Sequence, residues 1–185
     1  MNTITRRTLF ALIGPLVLGL GLVGAARLAT AEEKPSGEVQ LVPVKFDALL
    51  KKIAANKAAR LTMVDAWATW CGPCKENFPH VVDMHAKYAK KGLAVVSLSL
   101  DDSDKPKKVA EATAFLKEKK AAFANYLLDE TADDAFEKLN ITAIPAVFLF
   151  GPDGKEVKRF TLEDVNNQFT YDQVEAFVKA YLDKK

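Results

Sequence analysis

Residues Val64 to Pro79 read VDAWATWCGPCKENFP, and the order of parts within this stretch organises the chain around it. Leu61 to Trp67 is a β-type apolar run, and Cys71-Gly72-Pro73-Cys74 follows it after Ala68, Thr69 and Trp70. A helix of roughly 20 residues is predicted to open beside Gly72 and Pro73, to bury Phe78, Val81, Val82, Met84 and Tyr88, and to end near Gly92. A disulfide across C-x-x-C closes so short a loop that chain entropy assigns it only about 1.9 kcal/mol, against about 3 for a 15-residue loop. As a structural staple the pair is weak. As reversible chemistry it is well placed, because two sulfurs one helical turn apart can pass between dithiol and disulfide with little backbone movement. Unpaired N–H groups and the helix dipole at the helix start favour a thiolate at Cys71, whose pKa is expected in the range of roughly 3.5 to 7.5 typical of such thiols. Cys71 is then the attacking sulfur, and Cys74, one turn deeper, resolves the mixed disulfide. Pro73 falls in the first helical turn, where its missing N–H costs nothing.

Working outward, Val39 to Val42 reads as a short strand, and Phe46, Leu49, Leu50 and Ile53 repeat with the period of an amphipathic helix. Leu93 to Leu100 is a second buried strand, Lys105 to Lys119 a helix, Tyr126 to Leu128 a short strand and Ala132 to Leu139 a short helix. Ala146 to Phe150 and Glu156 to Phe160 alternate and are joined by Gly151-Pro152-Asp153-Gly154-Lys155, the mark of a β-hairpin. Val174, Phe177, Val178 and Tyr181 define a last helix. This order predicts an α/β fold: a central mixed β-sheet flanked by helices, parallel in its first half and closed by an antiparallel hairpin.

The chain has 185 residues, 49% hydrophobic and 27% charged, which suits one globular domain and excludes collagen-like, mucin-like and wholly disordered classes. Two cysteines are too few for a disulfide-rich scaffold or a four-cysteine zinc ribbon. The formal charge of +2 gives no field to attract nucleic acid, and nucleic acid is not an expected partner. Even that charge is misleading, since residues 1 to 31 hold Arg6, Arg7 and Arg27 and no acid. Without those three, the 26 basic residues become 23 against 24 acids.

Arg6 and Arg7 precede the uncharged stretch Leu9 to Ala26, and Ala29-Thr30-Ala31 has the A-x-A form of a signal-peptidase site. Residues 1–31 are therefore expected to be an export leader, twin-arginine-like from Thr5-Arg6-Arg7-Thr8-Leu9-Phe10 and a mildly apolar, Gly-containing core. An ordinary Sec signal, or an uncleaved anchor through residues 9–26, are the alternatives. Residues 32–38 read as a polar spacer and 39–185 as one domain. The expected location is extracytoplasmic, in the bacterial periplasm, with the protein soluble or tethered by its leader.

Other uses of the cysteines fit poorly. A c-type haem site needs His after the second Cys, and Lys75 stands there. Zinc would have to recruit His80 and His85, which five residues apart lie about 140° around a helix, so these read as helix surface. Neither a metal nor an organic cofactor is expected.

With both parts in place, VDAWATWCGPCKENFP resembles the active-site segment of the thioredoxin superfamily, and W-C-x-P-C-K with Pro79 five after Cys74 resembles its extracytoplasmic TlpA/ResA-like branch. Ile141 to Phe160, ITAIPAVFLFGPDGKEVKRF, is similar to that family's cis-proline strand and hairpin. The resemblance covers about residues 60 to 182. It implies a thioredoxin fold, with Asp101 to Leu139 holding the branch's extra strand and helix before the cis-proline strand. Phe115, Leu116, Phe123 and Phe136 there read as core. It also implies that the Ile144-Pro145 bond is cis and lies against the cysteines, so that Ile144 and Pro145, with Trp70, Gly72 and Pro73, form a substrate shelf.

Asp65, six before Cys71, matches the buried acid of thioredoxins and is expected to relay the Cys74 proton. Burial inside TMVDAW would raise its pKa, whereas a place at a strand edge would leave it facing water. Two positions depart from the family: Ser97 stands where a lysine near this acid is usual, and Asn77 where Glu is usual, with Glu76 beside it. Trp67 is read as core. The resemblance implies an enzyme, a protein thiol-disulfide oxidoreductase. Gly-Pro between the cysteines favours the reductase direction, with electrons from a membrane donor and tasks such as reducing apocytochrome c or assembling copper sites. Its expected partners are proteins bearing thiols or disulfides, and it is expected to be a monomer. A disulfide-donating oxidase and a metal-handling or binding module without turnover are the rival readings.

Overall fold

In chain order the elements are β1 (Val42–Val44), α1 (Phe46–Ala55), β2 (Leu61–Trp67), α2 (Gly72–Tyr88), β3 (Leu93–Ser99), α3 (Pro106–Glu118), β4 (Ala124–Leu128), α4 (Ala132–Leu139), β5 (Ala146–Phe150), β6 (Glu156–Phe160) and α5 (Tyr171–Leu182). The computed structural model describes residues 38–163 and 168–184. The expected leader, and residues 32–37 of the spacer, lie outside them. No helix among the described residues is long and apolar enough to cross a membrane.

The strands form one six-stranded sheet in the order β1-β4-β3-β2-β5-β6. β1 with β4, β4 with β3, and β3 with β2 are parallel, while β2 with β5 and β5 with β6 are antiparallel. This is the thioredoxin fold with an added strand and helix, since Asp101 to Leu139 contributes α3, β4 and α4. β2 is buried at all seven positions, as its unbroken apolar pattern requires of a central strand covered on both faces.

Alternation along β2 divides its side chains between two layers. Trp67 meets Phe78 of α2 and Phe115 of α3, with ring centroids 5.4 and 4.8 Å away. Asp65, on the same face, meets the start of α5. Val64 points the other way, into an apolar cleft of about 240 Å³ that it lines with Leu49 and Ile53 of α1 and Leu139 of α4.

Most element boundaries follow the apolar periodicity, and the departures have local causes. The first strand is Val42–Val44 and not Val39 to Val42, because the ladder with Tyr126–Leu128 sets its register and leaves Val39 and Leu41 packed on the core outside it. β4 begins two residues earlier than expected, where Ala124 pairs with Val96. α2 ends at Tyr88 and continues as a 3-10 turn to Lys91. Gly92 then takes φ +100, which a residue with a side chain adopts with difficulty, and a Cβ there would lie 2.9 Å from Arg60 Cγ. Val82 is half-buried. His85 is no plain surface residue either: its ring packs edge-on against Phe123 at 5.2 Å, and its Nδ1 is buried.

Phe78 is fully buried and touches Trp67, Phe115 and Phe123, so it joins the active helix to the sheet. Phe78→Ala is expected to cost about 3–5 kcal/mol through lost burial and the cavity left behind. Urea unfolding followed by circular dichroism measures it, and a loss below about 1 kcal/mol would mean that the surrounding rings do not depend on this contact.

Candidate active site

The site is built where β2 leaves the sheet. Leu100 N–H donates to Trp67 O at 2.8 Å, and beyond that point the chain turns through Ala68, Thr69 and Trp70 into α2. That turn is tied down by Asp101, only 2% exposed. Its carboxylate accepts from Thr69 N–H at 3.0 Å, from Thr69 Oγ1 at 2.5 Å and from Ser99 Oγ at 2.8 Å. A buried carboxylate is tolerable when hydrogen bonds replace its water, and here these bonds hold Thr69, two residues before Cys71. Cys71 N–H donates to Ala68 O at 3.1 Å and completes the turn.

Cys71 and Cys74 are joined as a disulfide, with Cα atoms 5.3 Å apart. Cys71 is the helix N-cap: its Sγ accepts from Cys74 N–H at 3.2 Å, so a backbone donor and the positive helix end both face this sulfur. Such surroundings favour a thiolate on a reduced cysteine at this place. Cys71 is 6% exposed and Cys74 1%, so Cys71 is the more accessible of the two sulfurs.

Gly72 and Pro73 are exposed, and nothing lies within 4 Å of where a Gly72 Cβ would be, so the approach beside Cys71 is open. Pro73 O accepts from Asn77 Nδ2 at 2.9 Å. The departure at Asn77 therefore clamps the first turn of α2 with a neutral amide, while Glu76 faces solvent.

The Ile144-Pro145 bond is cis, and Ile144 O lies 3.7 Å from Cys71 Sγ. Both residues are buried at the foot of β5. Trp70 is 57% exposed at the mouth of a groove of about 700 Å³ that runs past Leu100, Lys105 and Leu128. Trp70, Gly72, Pro73, Ile144 and Pro145 thus surround Cys71 from two segments more than 70 residues apart. Trp67 is buried, as read from the sequence.

Asp65 is completely buried. Tyr171 O–H donates to its Oδ1 at 2.5 Å, and Oδ2 is buried with no protein partner among the described residues. Burial pushes the Asp65 carboxyl from the usual 3.8 up to about 7, with the Tyr171 bond pulling the other way. Tyr171 is held well above its usual value, first by burial and then by the charge of Asp65. Ser97 lies directly across from Asp65 in the β2/β3 register, yet its Oγ accepts from Trp67 Nε1 at 2.8 Å.

Two groups in this arrangement escape sequence reasoning. Tyr171 sits one residue inside α5, ahead of Val174, where the apolar pattern begins. The capping box of Thr170 and Gln173 is the signal that could have placed it at a helix start. Asp101 follows a buried strand, a position that reads equally well as an exposed turn. At His80, which is exposed, the ring stacks on Tyr171 with centroids 5.9 Å apart.

Comparison with known proteins places the family and the fold. The sequence model of the family described as Redoxin matches residues 49–176. The thiol-disulfide oxidoreductase ResA of Bacillus subtilis strain 168 is 30% identical over 51% of this chain and 49% of its own length. ResA of Bacillus thuringiensis subsp. konkukian is 25% identical over 61% of this chain and 58% of its own. The chain thus spans less than two thirds of the length of these ResA relatives. The sporulation thiol-disulfide oxidoreductase A of Bacillus subtilis is 28% identical over 82% of this chain and 87% of its own. Among solved structures, a thiol:disulfide interchange protein DsbE from Chlorobium tepidum superposes with a TM-score of 0.54 at 27% identity, covering 69% of this chain and 84% of that one.

The buried acid makes a thermodynamic prediction. Between about pH 4 and pH 7 the folded protein keeps an Asp65 proton that the unfolded chain has lost, so stability falls as pH rises through that window, by up to ~1.4 kcal/mol per unit. Asp65→Asn removes this dependence. Relative to wild type, the Asn variant should gain on the order of a few kcal/mol between about pH 4 and pH 8, read from urea midpoints. A constant offset between the two proteins at both pH values would reject the raised carboxyl.

Proposed function

This chain belongs to the Redoxin family, as a TlpA/ResA-like member of the thioredoxin superfamily, and from that premise we propose that it is an exported thiol-disulfide oxidoreductase acting as a reductase of protein disulfides. The observation that carries the reading is the placement of the pair: Cys71 caps α2, receives Cys74 N–H, and faces Ile144 O beside the cis proline.

In the reduced enzyme the Cys71 thiolate attacks a substrate disulfide; the new S–S bond joins Cys71 to the substrate, and the other substrate sulfur leaves as a thiolate that takes a proton from solvent. Cys74 then loses its proton to the Asp65 carboxylate and attacks Cys71 Sγ, releasing the second substrate sulfur. Two electrons have passed to the substrate, and the Cys71–Cys74 disulfide remains. Trp70, Gly72, Pro73 and the Ile144-Pro145 segment supply the surface on which a substrate strand lies, with Ile144 offering backbone groups for β-type pairing.

Gly-Pro between the cysteines supports the reducing direction, toward a potential of about −270 mV as in thioredoxin. The basic, apolar and A-x-A pattern of residues 1–31 supports export to the periplasm, cleaved near Ala31 or held by residues 9–26. There a membrane electron donor would re-reduce the pair, and the disulfide of an oxidised apocytochrome c is the proposed substrate.

Cys71→Ser should abolish insulin reduction, and Cys74→Ala should accumulate a mixed disulfide visible on non-reducing gels. Wild-type activity surviving in Cys71→Ser would remove the enzyme reading. A reduction potential above about −150 mV would turn the assignment from reductase to disulfide donor.

A further inference from the structure

Asp65 has lost the partner that its position on the sheet would offer. Its neighbour in the β3 register is Ser97, whose Oγ accepts from Trp67 Nε1 and makes no hydrogen bond to the acid. The acid is served instead from α5, 106 residues away in sequence, by one hydroxyl. We propose that Tyr171 is a positioning residue of the exchange reaction: its hydroxyl holds Asp65 Oδ1 and leaves Oδ2 as the oxygen that trades a proton with the resolving thiol. This deepens the reductase reading of the same site and rests on it.

Three observations converge on this division of labour. Oδ1 is engaged at 2.5 Å by a donor that is itself buried, whereas Oδ2 is buried and has no partner among the described residues. A carboxylate buried with one oxygen free pays a desolvation cost that proton uptake relieves, and the oxygen without a donor is where the proton goes. The tyrosine is also fixed from outside: Thr170 and Gln173 form a capping box around its backbone, the His80 ring stacks on it at 5.9 Å, and Phe169 lies 5.7 Å away. A donor held this firmly sets the rotation of the carboxyl group.

The transfer balances simply. The Cys74 S–H bond breaks and an O–H bond forms at Oδ2; the electron pair left on sulfur makes the bond to Cys71 Sγ as the bond from Cys71 to the substrate breaks and the substrate sulfur leaves as a thiolate. By donating to Oδ1, Tyr171 favours the carboxylate and so keeps the acceptor ready near neutral pH. Where α2 packs on α5, the His80 ring stacks on Tyr171, and the other titratable groups in contact across that seam are Lys87 and Tyr88 of α2 and Glu175 of α5. Glu175 is engaged by Lys87 at 3.2 Å and by the Tyr88 hydroxyl at 2.9 Å. β3 presents Ser97 opposite the acid and β5 presents Val147, so neither strand brings a charge.

Tyr171→Phe keeps the ring and removes the donor. In the full chain labelled with 13C at aspartate carboxyls, the Asp65 titration midpoint should rise by about one pH unit or more, the size expected for a lost bond to a charged acceptor. Release of a preformed mixed disulfide by Cys74 should slow roughly tenfold near pH 7 and recover at higher pH, its profile displaced by the same interval. In an Asp65→Asn background the same change should leave that profile where it is. Should Tyr171→Phe not fold, 3-fluorotyrosine at position 171 strengthens the donor and should move the midpoint downward. An unmoved carboxyl midpoint, or slower release with an unchanged pH profile, overturns the proposal. The carboxyl titration needs no substrate, so a protein without reductase activity would sink the function while this reading stood or fell separately.

Discussion

Every side chain of β2 from Leu61 to Trp67 is shielded from water, so each polar group on that strand must be answered by another protein group. The strand carries two such groups on one face, the Trp67 indole N–H and the Asp65 carboxyl. The first is satisfied by Ser97 on the adjacent strand, and the second is met on one of its two oxygens by Tyr171 on α5. Those two bonds tie β3 and the C-terminal helix to the strand that delivers the cysteines. A substrate-facing loop can be precise only if the elements behind it are held, and here the polar needs of one buried strand do the holding.

Two helix starts meet at this strand for the same physical reason. The first turn of a helix offers unpaired donors and a positive dipole, which suits the Cys71 sulfur at α2. At α5 a capping box closes those donors and frees the tyrosine just inside to turn toward the core. Between them Asp101, gathering Thr69 and Ser99, locks the turn from β2 into α2. Two buried acids therefore serve one site in different ways. Asp101 is satisfied by three donor atoms, Thr69 N, Thr69 Oγ1 and Ser99 Oγ, and acts as a rigid anchor, while Asp65 is left half-satisfied and so remains able to bind and lose a proton.

Periodicity made most of the fold legible, because burial on both faces leaves an unbroken apolar run in β2 and β3, and an amphipathic stripe marks each of the larger helices. Where it failed, pairing decided. Val39 and Leu41 are apolar enough for a strand, yet the parallel ladder with β4 begins at Val42. His85 reads as surface by its polarity, but the ring of Phe123 covers it from a neighbouring element. The cysteine pair, the proline before β5 and the buried acid were all readable as local motifs.

By itself the sequence determined the place of the cysteine pair at a helix start and the class of fold, since spacing, helix-start residues and apolar period are local properties. Only the tertiary structure decided who partners the acid. Ser97 lies opposite Asp65 in register, yet its Oγ serves as acceptor for Trp67 and makes no bond to the acid, and Tyr171 reaches the acid across 106 residues because α5 packs over the same face of the sheet. No local pattern encodes that choice, for it follows from which donors the folded layers bring within a hydrogen bond of one buried oxygen.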